Sequence, residues 1–320
     1  MLPESLKSLL EDRAHCLAVA RDFFAGRGIL EVDTPLLSTT APIDLHIDVL
    51  RVALPDERWG YLHTSPEYAM KRLIAAGMGD IYQLGHVFRE GECGDYHNPE
   101  FTMAEWYRLG IEYDRFIEEV VDFMRCFLGD LPAEKIHYRS AFHLYADIDP
   151  YIATERELLA CAHAHGVSTP PSARDWARSV LLQLLLSSVI EKKFSQQHIT
   201  ILCDYPPWEA SLARTHSVDG VTVAKRFEIY YGSLELANGY HELTDPEEQL
   251  RRFKATNQMR SREGKSPLPI DYAFIKALEN LPDCCGVAVG FDRLMLLRQQ
   301  RDSLSSILPF AWTTLSTSVQ

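Results

Sequence analysis

Residues 82–107 read YQLGHVFREGECGDYHNPEFTMAEWY, two strand-like runs around a loop rich in charge and glycine. Ile81 to Arg89 favours a strand. From Glu100 to Tyr107 the residues alternate, so that Phe101, Met103, Glu105 and Tyr107 share one face while Thr102, Ala104 and Trp106 take the other. Together the runs predict a β-hairpin. Both faces of the second run carry apolar bulk, so this strand is expected to be buried on both sides, where a lone ionised Glu105 faces a heavy desolvation cost. A cation should meet it. The strand alone leaves open whether that cation is a Lys or Arg of the protein or a ligand.

The loop between the runs favours the ligand. Arg89 closes the first strand, where its planar fork can grip a phosphate with two hydrogen bonds, and Gly91 and Gly94 let backbone approach a bound molecule. His97 and Asn98 add hydrogen-bonding groups and Phe101 a ring. As a set they suit a nucleotide, with phosphates at Arg89 and the base on Phe101.

Working outward, residues 5 to 26 carry a helical apolar stripe that includes Leu9, Leu10, Leu17 and Phe24, ended near Gly26 and Gly28. A short strand, Ile29 to Val32, runs into Pro35. Thr64-Ser65-Pro66-Glu67 opens a second helix, with Ser65 suited to the N-cap, Pro66 to the first turn, and Glu67 to the positive end of the helix dipole. About residues 138–197 the chain reads as largely helical, with capping boxes expected at Thr154–Glu157 and Ser172–Asp175. No linker composition marks a domain boundary, so a single domain with a mostly helical insertion is expected.

Strands return at AKRFEIYY, a Gly232-Ser233 turn and LELANGYHEL. A two-residue hairpin would pair Tyr231 with Leu234 and Tyr230 with Glu235, placing Glu228 and Glu235 on one face. Two such carboxylates suit a divalent ion held with ATP phosphates, since Mg²⁺ takes one or two protein carboxylates and fills its shell with phosphate and water. Glu242 has the opposite parity and reaches that face if Asn238-Gly239 forms a bulge. Asp245-Pro246-Glu247-Glu248 starts a helix. GVAVGFDR, residues 286–293, reads as a buried strand ending at Gly290, then a helix whose first turn carries Arg293, an anion site.

The 320 residues, with a net charge of −13, have the composition of an ordinary soluble globular protein. Acidity argues against a long nucleic-acid backbone as partner and suits a cationic small molecule or a protein with a basic loop, and on its own it is equally, and more commonly, a solubility device. No window reaches membrane-span length, and the N-terminus lacks a signal-peptide apolar core, so the cytoplasm is the expected location. Seven cysteines, odd in number and without a CxxC spacing, suggest neither a disulfide framework nor a structural zinc site. There is no P-loop, no Rossmann fingerprint and no GxSxG. His241-Glu242 begins an HExxH that Asp245 breaks.

The strand ending in Pro35, FRE…HNPEFTMAEWY and GVAVGFDR resemble, in order, the three signature motifs of class II aminoacyl-tRNA synthetases. TSPEYAMKRL and ELANGYHELTDPEEQ are similar to the lysyl branch. The resemblance spans nearly the whole chain and implies an α+β class II catalytic fold, an antiparallel sheet flanked by helices. The chain starts almost at the first motif, with no N-terminal anticodon-binding domain, and so looks like the freestanding paralogues that ligate β-lysine to a lysine side chain of translation elongation factor P. The reading left beside this is a short lysyl-tRNA synthetase-like enzyme acting on tRNA or on a free amino acid.

The resemblance also implies roles. Arg89 and Arg293 would be catalytic, holding the α- and γ-phosphates of ATP. Glu90, Gly91, His97, Asn98, Phe101, Glu235, Leu236 and Gly290 would complete the nucleotide site. Glu228 and Glu235 would bind Mg²⁺. Ser65, Pro66, Glu67, Glu105, Tyr107, Asn238, Glu242 and Ala288 would surround lysine or β-lysine, Ala288 standing where lysyl-tRNA synthetases commonly have Gly. A homodimer is implied around Pro35, and tRNA is disfavoured. Two departures stand out: Glu90-Gly91-Glu92 replaces the usual Asn-Glu after the loop arginine, which leaves the adenine-contacting carboxylate unassigned between Glu90 and Glu92, and Ala288 adds a methyl to the pocket.

Overall fold

A computed structural model describes residues 4–55, 57–218 and 220–316. They form two compact units, 1–129 with 241–320, and 130–240.

The first unit opens with α1 (Glu4–Ala25), β1 (Leu30–Glu31), β2 (Leu37–Ser38), β3 (Arg51–Ala53), β4 (Trp59–Leu62), α2 (Glu67–Ala75), β5 (Ile81–Phe88), β6 (Glu100–Leu109) and α3 (Tyr113–Leu128). The hairpin expected from the sequence is β5–β6, antiparallel from Ile81↔Tyr107 to Phe88↔Glu100. Residues Thr102 to Tyr107 are all buried, as two apolar faces require. In α1 the buried residues are Cys16, Ala20, Phe23 and Phe24, toward its C-terminal end, while Leu9, Leu10 and Leu17 are half-exposed. Phe24 stacks on Tyr82 and Phe123 and meets Trp106 edge-on, so one aromatic cluster fastens α1 and α3 to the hairpin.

The second unit contains β7 (Ala133–His137), α4 (Tyr138–Ala146), α5 (Glu155–Ala164), α6 (Arg178–Leu185), β8 (Ile199–Tyr205), β9 (Thr215–Val218), β10 (Val221–Tyr231) and β11 (Leu234–His241, its last residue belonging to the first unit). The helices expected over 138–197 are here. Tyr138, Phe142, Leu158, Leu182, Leu185 and Ile190 share a core with Leu202 and Tyr205 of β8 and Tyr230 of β10. Thr154 and Glu157 make the expected capping box. Ser172–Asp175 does not: Pro171–Asp175 is one short 3₁₀ turn with no side-chain cap, and α6 begins beyond Trp176. Pro171 at the first position of that turn starts it one residue before Ser172, so Ser172 lies inside the turn and not at its cap.

The chain then returns to the first unit with α7 (Pro246–Arg262), α8 (Tyr272–Ala277), β12 (Cys284–Gly290), α9 (Phe291–Arg298) and α10 (Trp312–Ser316). Asp245 caps α7 by accepting from the N–H groups of Glu247 and Glu248. In this unit β1, β5, β6 and β12 lie side by side, antiparallel except for the parallel pair β1·β5. In the second unit β11, β10, β8 and β7 do the same, antiparallel except for β7·β8. The fold is α+β as expected, but its strands are mixed and not purely antiparallel. The helices between β6 and β12 and between β7 and β8 supply the length that non-hairpin pairings need. Among the described residues, no helix is long and apolar enough to cross a membrane.

Candidate active site

Strand β6 is the floor of the first unit's polar interior. Its Glu105 is 2% exposed and accepts hydrogen bonds from Ser65 Oγ (2.7 Å) and Tyr107 Oη (2.8 Å). The expected cation does not touch it; two hydroxyls do. Burial and the neighbouring Glu67 push the Glu105 carboxyl up to about 7.

Helix α2 brings in the charge. It starts at Glu67 with Pro66 in the cap position, one residue later than the sequence suggested. Ser65 still serves the helix end, because its Oγ accepts from the Glu67 N–H at 3.0 Å while its own proton goes to Glu105. One turn on, Lys71 Nζ lies 2.5 Å from both Glu67 Oε1 and Glu242 Oε2. Both neighbouring carboxylates hold the Lys71 ammonium protonated, well above its usual range despite full burial. Burial pushes Glu242 up to about 8, against the pull of Lys71. Sequence reasoning missed Lys71. Its signal was the i,i+4 pair Glu67–Lys71 on a helix otherwise apolar toward the core.

Strand β12 sets the walls. In register, Gly286 faces Tyr107 and Ala288 faces Glu105. A Cβ at position 286 would collide with the Tyr107 ring and with a Glu242 carboxylate oxygen, so glycine here is a packing requirement. Ala288 puts its methyl beside Glu105, as a direct cross-strand neighbour does. At Gly290 a Cβ would make an ordinary 3.6 Å contact with the Arg293 side chain, so space does not demand glycine there.

The nucleotide candidates of this unit gather around the loop after β5. The Arg89 guanidinium sits 5.1 Å from the centroid of Phe101, the ring expected to carry a base, and 3.5 Å from Glu92. Arg89 Nε is buried with no acceptor among the described residues. Glu90 bridges by its backbone to Asp48, and Gly91 has φ +77°, a left-handed conformation that favours glycine. His97 Nε2 accepts from Arg293 Nη2 at 2.8 Å, and burial together with that guanidinium lowers the His97 pKa. Asn98 turns inward, donating to Glu100 O (2.6 Å) and accepting from the Trp312 N–H (2.9 Å), so it shapes the loop and offers little to a ligand. Arg293 owes its place to its neighbour Asp292, 2% exposed, which accepts from the Thr102 N–H (2.8 Å) and from Arg13 of α1 (2.7 Å).

In the second unit the hairpin β10–β11 pairs Tyr231 with Leu234 and Tyr230 with Glu235, as expected. The bulge lies elsewhere than expected. Tyr230↔Glu235 is followed by Ile229↔Ala237 and Glu228↔Asn238, so the extra residue is Leu236, not Asn238 or Gly239. Its apolar side chain, 2% exposed, can be buried while the register shifts. Even-numbered residues from Asn238 onward thereby regain the face of Glu228. Glu228 is 6% exposed and accepts from Arg226 (2.5 Å), Tyr205 (2.5 Å), Asn238 Nδ2 (3.3 Å) and Tyr230. Asn238 Oδ1 is buried with no donor among the described residues.

A family model for class II tRNA synthetases (D, K and N) matches residues 1–314. The chain is 41% identical over 312 residues to a protein of Haemophilus ducreyi named elongation factor P–(R)-β-lysine ligase, covering 96% of this chain and 94% of that one. Proteins of the same name from Vibrio cholerae (42% over 315 residues, 97% of each chain) and Vibrio parahaemolyticus (41% over 307 residues, 94% of each chain) are similar to the same extent. With its three motifs on the segment that ends in Pro35, on the β5–β6 hairpin and on the β12–α9 strand and helix, this chain belongs to the class II (D, K and N) tRNA synthetase family.

Proposed function

We propose that this protein is a cytoplasmic, AMP-forming ligase that activates (R)-β-lysine, or lysine, with ATP and transfers it to a lysine side chain of elongation factor P. The observation that carries the substrate is the charge balance of the buried cluster. Glu67 and Glu242 share one resident ammonium, Lys71, and Glu105 has none, which leaves two negative charges uncompensated when all three carboxyls ionise. A diamino acid brings two ammonium groups. Its carboxylate is the group activated, so the amino acid enters this interior as the missing pair of cations.

The reaction runs in two steps. The substrate carboxylate attacks the α-phosphorus of ATP, expelling pyrophosphate, while Arg89 and Arg293 offer fixed positive charge to the phosphates. The buried Arg89 Nε without an acceptor supports that role. An acceptor amine then displaces AMP, and no protein nucleophile is needed. Asn238, with its buried Oδ1, supports amino-acid binding by offering an acceptor. Glu228 and Glu235, which share a face of the hairpin, would hold Mg²⁺, which would neutralise phosphate charge. Glu228 fits this role if Arg226 or Asn238 yields one of its lone pairs. A homodimer is supported by the exposed apolar side chains Leu30, Leu36 and Leu37 flanking Pro35.

The relatives named as elongation factor P ligases, aligned almost end to end, favour the protein acceptor over tRNA. ATP–pyrophosphate exchange stimulated by β-lysine or lysine tests activation; no exchange with α-lysine or either β-lysine enantiomer refutes the enzyme. Intact mass of elongation factor P and acid-precipitable label on total tRNA test the acceptor. Label on tRNA alone refutes it.

A further inference from the structure

Four metal-ligating side chains that the proposed reaction does not use converge in the second unit. Strands β7 and β8 run parallel with His137 and Cys203 as register partners. His137 Nδ1 lies 3.7 Å from Cys203 Sγ and 2.6 Å from Asp204 Oδ2, and these three ligand atoms all fall within 4.8 Å of one another. From β9, His216 Nε2 reaches to 4.0 Å from Asp204 Oδ1.

Backbone geometry presents this set. Asp204 has φ +57°, a left-handed conformation uncommon for a residue other than glycine. It sits where the β8–β10 register slips between Ala224 and Phe227, so the strand turns its carboxylate toward His137 and His216 and not into the ladder. Such strain persists where surrounding structure enforces it, and clusters at ligand-binding positions. The cluster is also accessible. His137 is 55% exposed while Asp204 is 14% exposed and Cys203 is buried, so one side is open to solvent and the rest is lined by protein.

We infer that His137, Cys203, Asp204 and His216 form a site for a borderline divalent cation of the Zn²⁺ class, pinning the ends of β7, β8 and β9 together. Two imidazoles, a thiolate and a carboxylate are the donor set of a closed four-coordinate site, in which ligand atoms stand roughly 3.3–3.7 Å apart given metal–ligand bonds of about 2.0–2.3 Å. The His137–Cys203 separation already matches. Loading the site exchanges the His137–Asp204 hydrogen bond for two metal bonds, and His216, which lies outside the group formed by the other three ligand atoms, swings in to complete it. The carboxylates proposed for Mg²⁺, Glu228 and Glu235, offer no sulfur or imidazole, so a softer ion distinguishes the two places.

The test uses the full chain, stripped with chelator and titrated with Co²⁺ and then Zn²⁺ in excess Mg²⁺. We expect one Co²⁺ per chain with a thiolate-to-cobalt charge-transfer absorption, displaced by Zn²⁺, and a raised melting temperature. Cys203→Ser should remove that absorption, and His216→Ala should weaken binding by about tenfold or more. Neither substitution should alter ATP–pyrophosphate exchange, which also shows that the variants fold. No Co²⁺ bound, or a thiolate band that survives Cys203→Ser, overturns the site.

Discussion

Lys71 and Glu242 meet at 2.5 Å with each side chain 1% exposed, an ion pair in the interior of the first unit that Glu67 completes from one helical turn away. Removing one member of a buried pair leaves the other charge uncompensated. At a pH above about 8, where Glu242 is ionised, Lys71→Met is therefore expected to destabilise the protein by about 3–5 kcal/mol in denaturant unfolding. Saturating lysine-like substrate should restore more stability to this variant than it adds to the parent, because the substrate supplies the lost cation. Equal substrate stabilisation in both proteins would show that Lys71 does not share the substrate's charge environment.

The raised carboxyls make a prediction about pH. Glu105 and Glu242 carry folded-state pKa values of about 7 and about 8, above the ordinary range near 4.5. Between those limits the folded state binds more protons than the unfolded one, so the substrate-free protein loses stability as pH rises from about 5 to 8. Ammonium binding has the opposite slope. The KM for β-lysine should fall as pH rises through 7 to 8, and Glu105→Gln should flatten the lower part of that profile. A KM independent of pH in the parent would contradict the protonated resting state.

At Gly286 the space is fully used by Tyr107 and Glu242. Gly286→Ala should displace one or both and cut kcat/KM for the amino acid by about 100-fold or more, with folding judged by circular dichroism. By contrast Ala288→Gly vacates one methyl beside Glu105. A single methyl discriminates by about 1–3 kcal/mol, so the ratio of kcat/KM for β-lysine over α-lysine should move by tenfold or more. An unchanged ratio would assign the choice of amino acid to other residues.

Arg89→Ala should lower the rate of ATP–pyrophosphate exchange by about 100- to 1,000-fold, as loss of one fixed donor to a charged transition state does. Arg293→Ala should do likewise, and should return the His97 pKa further toward its ordinary value than Arg89→Ala does, because of the two guanidiniums that lower it Arg293 acts more strongly. Titrating His97 by NMR in the two variants separates these effects.

Much of this arrangement is legible in the chain. Alternation over Glu100–Tyr107 gives both the buried strand and the face that Glu105 shares with Tyr107, because side-chain parity in a strand is fixed by geometry. The same rule places Glu228 with Glu235. What parity cannot give is where a ladder slips, and so the bulge at Leu236 is expected instead at Asn238-Gly239, whose glycine, three residues on, has the plainest local signal. Lys71 was hidden for another reason. A lysine in an amphipathic helix is ordinarily solvated, and its burial depends on Glu242, far away in sequence. Asp292 is similar: nothing local marks it as the acceptor that joins Arg13 to the backbone of Thr102.

The first unit is assembled from two stretches of chain, 1–129 and 241–320. Lys71, Glu67 and Glu105 belong to the earlier stretch, Glu242, Gly286 and Arg293 to the later one. During synthesis the ribosome must therefore deliver the whole second unit before the first can close around its own charges. Until then Lys71 has half of its counterions and β6 lacks β12 along one edge. The carboxylates and ammonium of residues 67–105 are thus held in their final places only once residues 241–293 have been made.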